Sequence, residues 1–353
     1  MKVLVTGHDG YIGSVMVDVL SRAGHDVTGL DSYFFERCRF GPERCIVPAL
    51  RKDVRDVEAA DLIGFDAVIH LAALSNDSLG SLDERCTLDI NHSGSVAIAT
   101  AAKAAGVPRF LFASSCSLYG AAGDAVLTED AAFDPVTAYA RSKVLAEMDV
   151  SRMADDSFSP TFLRNATAYG ASPRLRADVV VNNLVGLAFT TGTVIIQSDG
   201  TPSRPFVHVE DIARAFLAVL EAPRDAVHNQ AFNVGSTQEH YQVSEIAGIV
   251  RDVMPGCTIS YLPGGGPEPR GYRVNCDKLS QAIPGFRTQW TVRRGVEELY
   301  WSCTAYGLEP EAFSGYGRLT RIQDLLREGR LDDSLRWSRV PSQLLQAMAT
   351  SWS

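Results

Sequence analysis

The sequence predicts an α/β fold, a doubly wound parallel sheet with a smaller C-terminal α/β lobe that binds substrate. Three observations carry this. Apolar, β-rich runs alternate with helical patterns through the first half of the chain, which gives parallel strands with helices on both faces. A glycine-spaced turn, Thr6-Gly7-His8-Asp9-Gly10-Tyr11-Ile12-Gly13, stands between the apolar run Val3-Leu4-Val5 and a helical pattern over 14–23. After about residue 170 the texture changes, and prolines, glycines and short segments interleave.

The candidate strands are 3–5, 27–30, 67–71, 109–113 and 161–163, with helices over 84–105 and 139–153 between them. Together they make a first unit over 1–170, to which later segments return. Asp66-Ala67-Val68-Ile69-His70-Leu71-Ala72-Ala73 reads as a fully buried strand running into a small-residue loop. Ligands in such sheets bind beyond the carboxyl ends of the strands. A second unit over 171–307 contains helical stretches at 209–220 and 244–253, and packs over that edge to form a cleft. The segment 308–353 is a charged helical extension, from Arg318 to Arg336, ending in a polar tail. It reads as a solvated appendage or a subunit contact, without chemistry.

The bulk composition narrows the function. The chain has 353 residues, 46% of them hydrophobic, and a net charge of −9. That is a globular composition, and without a basic block it argues against nucleic acid. No apolar stretch is long enough to span a bilayer, so no membrane partner is expected. The first apolar run is interrupted at once by glycines, so an export signal is not expected either. Seven scattered cysteines without a CxxC pair suggest neither a disulfide framework nor a metal site. A reducing cytoplasm is the expected location.

The glycine turn suits a dinucleotide. Gly7 allows a tight turn, Gly10 lets a pyrophosphate approach the backbone, and Gly13 lets helix and strand pack closely. The helix start adds free N–H groups and positive dipole character. Asp26-Val27-Thr28-Gly29-Leu30-Asp31 reads as a second strand ending in a carboxylate. Asp31 falls about 20 residues on, where an acid accepts hydrogen bonds from an adenosine ribose. Further along, Tyr139 and Lys143 stand four apart in Tyr139-Ala140-Arg141-Ser142-Lys143, so a helix puts them on one face. A phenol titrates near 10, and half-ionising it at neutral pH takes about 4 kcal/mol. A neighbouring ammonium and an oxidised nicotinamide both push in that direction. A third cluster, Ser114-Ser115-Cys116-Ser117-Leu118-Tyr119-Gly120, ends a strand in hydroxyls. These suit hydrogen bonding to a substrate oxygen while Tyr139 moves its proton, or else simple capping of a turn.

With these motifs, and with His70–Ala73 (HLAA) and Arg204-Pro205-Phe206-Val207-His208-Val209-Glu210-Asp211, the chain resembles the extended short-chain dehydrogenases/reductases. Within them it resembles the NAD-dependent nucleotide-sugar epimerase/dehydratase family, over roughly residues 1–300. The resemblance implies a Rossmann-type fold, NAD as cofactor, a nucleotide-diphosphate sugar as substrate and a homodimer formed through the helices 84–105 and 139–153. It implies Ser115, Tyr139 and Lys143 as the catalytic group, with Lys143 also orienting the cofactor ribose. Gly7, Gly10, Tyr11, Ile12, Gly13, Asp31, Asp53, Val54, Leu71, Ala72, Ala73, Asn91 and Ser114 fall at cofactor positions. Asn76, Asn165, Thr167, Asn182 and Asn183 fall at substrate positions. Arg204 resembles the diphosphate-binding arginine and Arg270 serves likewise; a guanidinium fork matches phosphate oxygens, although for each a surface ion pair is the other reading.

Two departures bear on the reaction. The 4,6-dehydratases of this family resemble one another in carrying Asp-Glu after the catalytic residue, where Cys116-Ser117 stands here. Elimination of water by that route is not expected. Cys116 is either an acid/base of its own, facing substrate, or a small buried side chain. Asn165 and Thr167 replace the Tyr and Asn found in many relatives, so the sugar recognised is expected to differ. The leading expectation is epimerisation at C4 through a transient ketone. A reductase of a keto-deoxysugar nucleotide is the alternative, and a non-catalytic dinucleotide-sensing protein is a third reading that the intact triad disfavours.

Overall fold

The computed structural model describes residues 1–75, 77–80, 82–120, 125–201, 203–262 and 271–338. Its centre is a seven-stranded parallel sheet: β1 (Lys2–Thr6), β2 (Asp26–Asp31), β3 (Ala49–Arg51), β4 (Ala67–His70), β5 (Arg109–Ser115), β6 (Ser159–Asn165) and β7 (Ala231–Val234). The spatial order is β7-β6-β5-β4-β1-β2-β3. The strand order reverses between β1 and β4, and a crevice opens there beyond their carboxyl ends.

Alternation along the strands builds two cores. Val3, Val5, Ile69 and Leu111 point to one face and meet α1 (Gly13–Arg22) through Val15 and Met16, together with Ile212 and Phe216 of the helix Val209–Glu221. Leu4, Val68, Phe110 and Phe112 point to the other. They meet α2 (Gly94–Ala104) through Ile98 and α3 (Ala138–Ser151) through Ala146 and Val150. Covering both faces explains why these strands read as continuous apolar runs.

The helix expected over 84–105 is divided. A short helix Glu84–Leu88 and α2 are joined by one wider π turn, Asp89–Ser93, which carries Asn91. Two sheet strands were not expected. β3 is three residues long and exposed throughout, so it has no apolar run to reveal it. β7 follows the helix Val209–Glu221, well after the chain has entered the second lobe.

The second lobe has its own core around the helices Val180–Thr191, Val243–Val253 and Val292–Tyr306. A three-stranded sheet of Thr167–Tyr169, Ser203–His208 and His240–Gln242 belongs to this part of the chain.

The extension corrects the expectation of a solvated appendage. Its helix α4 (Arg318–Arg327) is shorter than expected and buries Arg318, Arg321, Ile322 and Leu325. With Leu331 and Leu335 it forms one apolar cluster with Phe34, Leu74, Leu79 and Ile90 of the first unit. The indole of Trp337 donates to the carbonyl of Ser32, and Arg55 donates to the carbonyl of Ser334. The pattern looked solvated because the apolar partners of α4 lie about 230 to 290 residues away in sequence. The polar tail beyond 338 lies outside the described residues. Among the described residues no helix is long and apolar enough to cross a membrane.

Candidate active site

One cleft gathers most of the candidate residues. The glycine turn forms its floor. Gly7 has φ +72, and its amide donates to the carbonyl of Leu30, 2.8 Å away. A Cβ on Gly7 would stand 2.8 Å from the amide nitrogen of Ala72, and one on Gly13 only 2.0 Å from the carbonyl oxygen of Gly7. Side chains are therefore excluded, and a bare backbone cradle faces the start of α1. Tyr11 and Ile12 line the cleft beside it. The Tyr11 hydroxyl is turned away from ligand: it donates to the carbonyl of Gly170.

Asp31 ends β2 at the rim, held by the amides of Asp9 (3.0 Å) and Tyr33 (2.7 Å). Asp53, Val54, Leu71, Ala72 and Ala73 also line the cleft. The Asp53 carboxylate is ion-paired to Arg55 at 2.6 Å.

The catalytic candidates converge at the ends of β5 and α3. Thr137 caps α3 by accepting from the amide of Ala140, which sets Tyr139 in the first turn and Lys143 in the next. Both line the cleft, as do Ser114 and Ser115. Lys143 is 3% exposed. Its Nζ donates to the carbonyl of Ala113 at 2.8 Å and lies 5.8 Å from the centroid of the Tyr139 ring. Burial lowers its pKa to about 7, against a smaller opposing pull from Glu147. The Ser115 hydroxyl accepts from the amide of Ser117. The hydroxyls of Ser114 and Ser117 and Oδ1 of Asn165 are buried without a hydrogen-bond partner among the described residues, and all three residues line the cleft. Such polar atoms are costly unless a ligand completes them. Thr167 and Arg204 line the same cleft.

Four candidates are placed otherwise. Asn182 is 2% exposed. Its amide accepts from Gly170 N and donates to the carbonyls of Gly170 and Arg176 and to the Tyr11 hydroxyl. It holds the fold and has no polar atom left for substrate. Asn183 is off the cleft and donates to the carbonyl of Ala177. Asn91 is fully buried behind the wall, where it brackets Leu74 through both its amide and its carbonyl; it shapes the loop after β4 without facing a cofactor. Cys116 is fully buried, donates to the carbonyl of Arg164, and has its thiol pKa pushed well up by burial. It is a packing residue, not an acid/base facing substrate. Asn76 and Arg270 lie outside the described residues.

The structure also adds residues. Ser117 and Tyr272 line the cleft, and so does Arg176. Arg176 is ion-paired to Asp178 at 2.8 Å and donates to the carbonyl of Ser75. From the extension comes Arg318. The run Pro173-Arg174-Leu175-Arg176-Ala177-Asp178 was visible as a cluster of charge, but nothing in its spacing said which arginine turns inward. Among the described residues no group of three or more His, Cys, Asp or Glu could hold a metal ion.

Residues 3–235 match the model of the NAD-dependent epimerase/dehydratase family. The chain belongs to that family. A UDP-glucose 4-epimerase of Corynebacterium glutamicum is 30% identical over 329 residues, which cover 86% of this chain and 96% of the relative. UDP-glucuronic acid decarboxylase 1 of Arabidopsis thaliana is 25% identical over 308 residues, covering 85% of this chain and 69% of the relative. The solved structure of MoeE5 in complex with UDP-glucuronic acid and NAD superposes with a TM-score of 0.75 at 27% identity, covering 86% of this chain and all of that one. The family's cofactor is NAD, and the chain is an NAD-dependent nucleotide-sugar epimerase or a related dehydratase or oxidoreductase. The side-chain-free cradle and the carboxylate of Asp31 at its rim fit that cofactor.

Proposed function

We propose that this member of the family epimerises a nucleotide-diphosphate sugar at C4, with a UDP-sugar as the first substrate to try. The observation that carries the reading is the meeting of Ser115, Tyr139 and Lys143 in the cleft that also holds the glycine cradle, with no carboxylate after Ser115. The glycine cradle and Asp31 would hold NAD, which would supply the hydride acceptor and donor for the sugar carbon. Tyr139 takes the proton of the C4 hydroxyl and later returns it. Lys143, buried one turn further along α3, biases Tyr139 toward its anion when protonated. Ser115 donates to the same sugar oxygen. Arg204 binds the diphosphate, so the sugar is tethered by its nucleotide and free to turn over. Asn165, Thr167 and Ser117 face the sugar and set which one fits. The enzyme works as a homodimer through α2, α3 and the segment before them; Leu145 and Met148 of α3 are exposed large apolar side chains, as such a contact requires.

Other relatives named UDP-glucose 4-epimerase support the choice of reaction, among them those of Neisseria meningitidis and Bacillus subtilis. The test is conversion of UDP-glucose and UDP-galactose in deuterated water, followed by NMR. Interconversion without deuterium at carbon supports a ketone formed and reduced in place. Deuterium at C5 or C6 means elimination chemistry, and consumption of added NADH with a ketosugar means a reductase. Either outcome overturns the proposal.

A further inference from the structure

Arg318 is 2% exposed and lines the cleft, although it belongs to the C-terminal extension. Its guanidinium lies 4.4 Å from the centroid of the Phe35 ring, and Nη2 donates to the carbonyl of Arg174 at 2.8 Å. Nη1 is buried without a hydrogen-bond partner among the described residues. The carboxylate that acts on its charge, Asp178, is shared. Asp178 already pairs with Arg176, and Arg176 is a second cation. The Cys38 thiol beside it donates to the carbonyl of Gly315. Arg174 is paired to Asp9 and Glu43. Arg318 is thus buried without a carboxylate of its own, and Nη1 is its open donor. Burial, reinforced by Arg176, lowers the Arg318 pKa to about 10. An uncompensated buried guanidinium is costly, and a bound anion removes that cost.

The position says which anion. Arg318 packs on Phe35, four residues after Asp31, and bonds to Arg174; Tyr11 of the glycine turn and Arg176, which is bonded to Ser75 after β4, act on its charge. Tyr11 and Phe35 belong to the cofactor half of the cleft, and Arg176 reaches it through Ser75. We propose that Arg318 donates through Nη1 to the diphosphate of NAD, so that the C-terminal extension closes over the cofactor and holds it through turnover. The cradle binds the diphosphate through backbone N–H groups, and Arg318 supplies the charge that the cradle lacks. The inference rests on NAD as the cofactor and is independent of which sugar is turned over.

The experiment uses the full chain stripped of nucleotide. Calorimetric titration compares wild type with Arg318→Met, which keeps the apolar stem, for NAD, ADP, adenosine and UDP. Loss of one charge-assisted hydrogen bond is expected to weaken NAD and ADP by about tenfold to hundredfold, and to leave adenosine and UDP unchanged. Equal weakening of adenosine and ADP would mean a structural role and overturn the proposal. Weakening of UDP alone would assign Arg318 to the substrate diphosphate and overturn it as well. Hydrogen exchange on the wild type keeps the test independent of the variant's folding. Residues 318–327 are expected to gain protection with ADP and none with adenosine, and unchanged exchange with ADP would overturn the proposal.

Discussion

Lys143 carries a consequence for stability that can be worked from its burial. The unfolded chain keeps this ammonium protonated up to the ordinary lysine value of 10.5, whereas the folded protein releases the proton near pH 7. Between those values the unfolded state binds more protons, so stability rises with pH across the window and the burial cost is fully present below it. The limiting slope is about 1.4 kcal/mol per pH unit. Allowing for the hydrogen bond to Ala113 and for local relaxation, a gain of about 2–4 kcal/mol from pH 7 to 10 is expected from this one group. Lys143→Met removes it. Urea unfolding of the nucleotide-free protein at pH 7, 8, 9 and 10 measures the difference between the two proteins. That difference, wild type minus variant, should climb with pH, and the variant should be the more stable of the two below pH 7. Parallel curves would refute the buried-amine account, because other titrating groups are common to both proteins. The same variant should lose turnover, which separates what the amine costs from what it does.

Tyr139→Phe should fold normally and keep its cofactor while kcat falls by about two to four orders of magnitude; intact turnover in a steady-state assay would remove Tyr139 from the mechanism. Gly13→Ala should cost about 1–3 kcal/mol or more and abolish NAD retention, because the new Cβ meets the Gly7 carbonyl oxygen at 2.0 Å. Thermal melts and mass spectrometry of released nucleotide check both parts. Asn182→Ala should lower stability by about 1–3 kcal/mol with little change in KM, since its amide is spent on Gly170, Arg176 and Tyr11; a KM effect at unchanged stability would restore it as a substrate ligand.

What could be read in the sequence was what is local. The strand–turn–helix at Gly7–Gly13 and the placing of Tyr139 above Lys143 follow from backbone geometry within a dozen residues. The ends of β2, β4 and β5 followed from the buried apolar runs that precede them. What escaped depends on distant partners. Asn182 and Asn183 look like ligand amides in one dimension, and only the fold shows that their hydrogen bonds close on Gly170, Arg176 and Ala177. Arg318 sits in a helix so charged that its sequence reads as solvated; Phe34 and Leu79, far off in the chain, supply the apolar cover. β7 carries Asn233 in its middle and is only four residues long, too short to stand out among the turns of the second lobe.

The late arrival of β7 decides how this protein can be made. β6 is buried at all seven positions, and one of its two backbone edges is covered by β7, which is synthesised some seventy residues later. Until then a newly made chain presents an open, unpaired strand edge. Such edges recruit other chains, and pairing across so long a loop is slow to form. A fragment ending near residue 170 would contain the whole glycine cradle together with Tyr139 and Lys143, yet should precipitate. The cofactor half of this enzyme cannot be cut out as an independent module, and engineers who graft or swap its substrate lobe must carry Ala231–Val234 along with the sheet it completes.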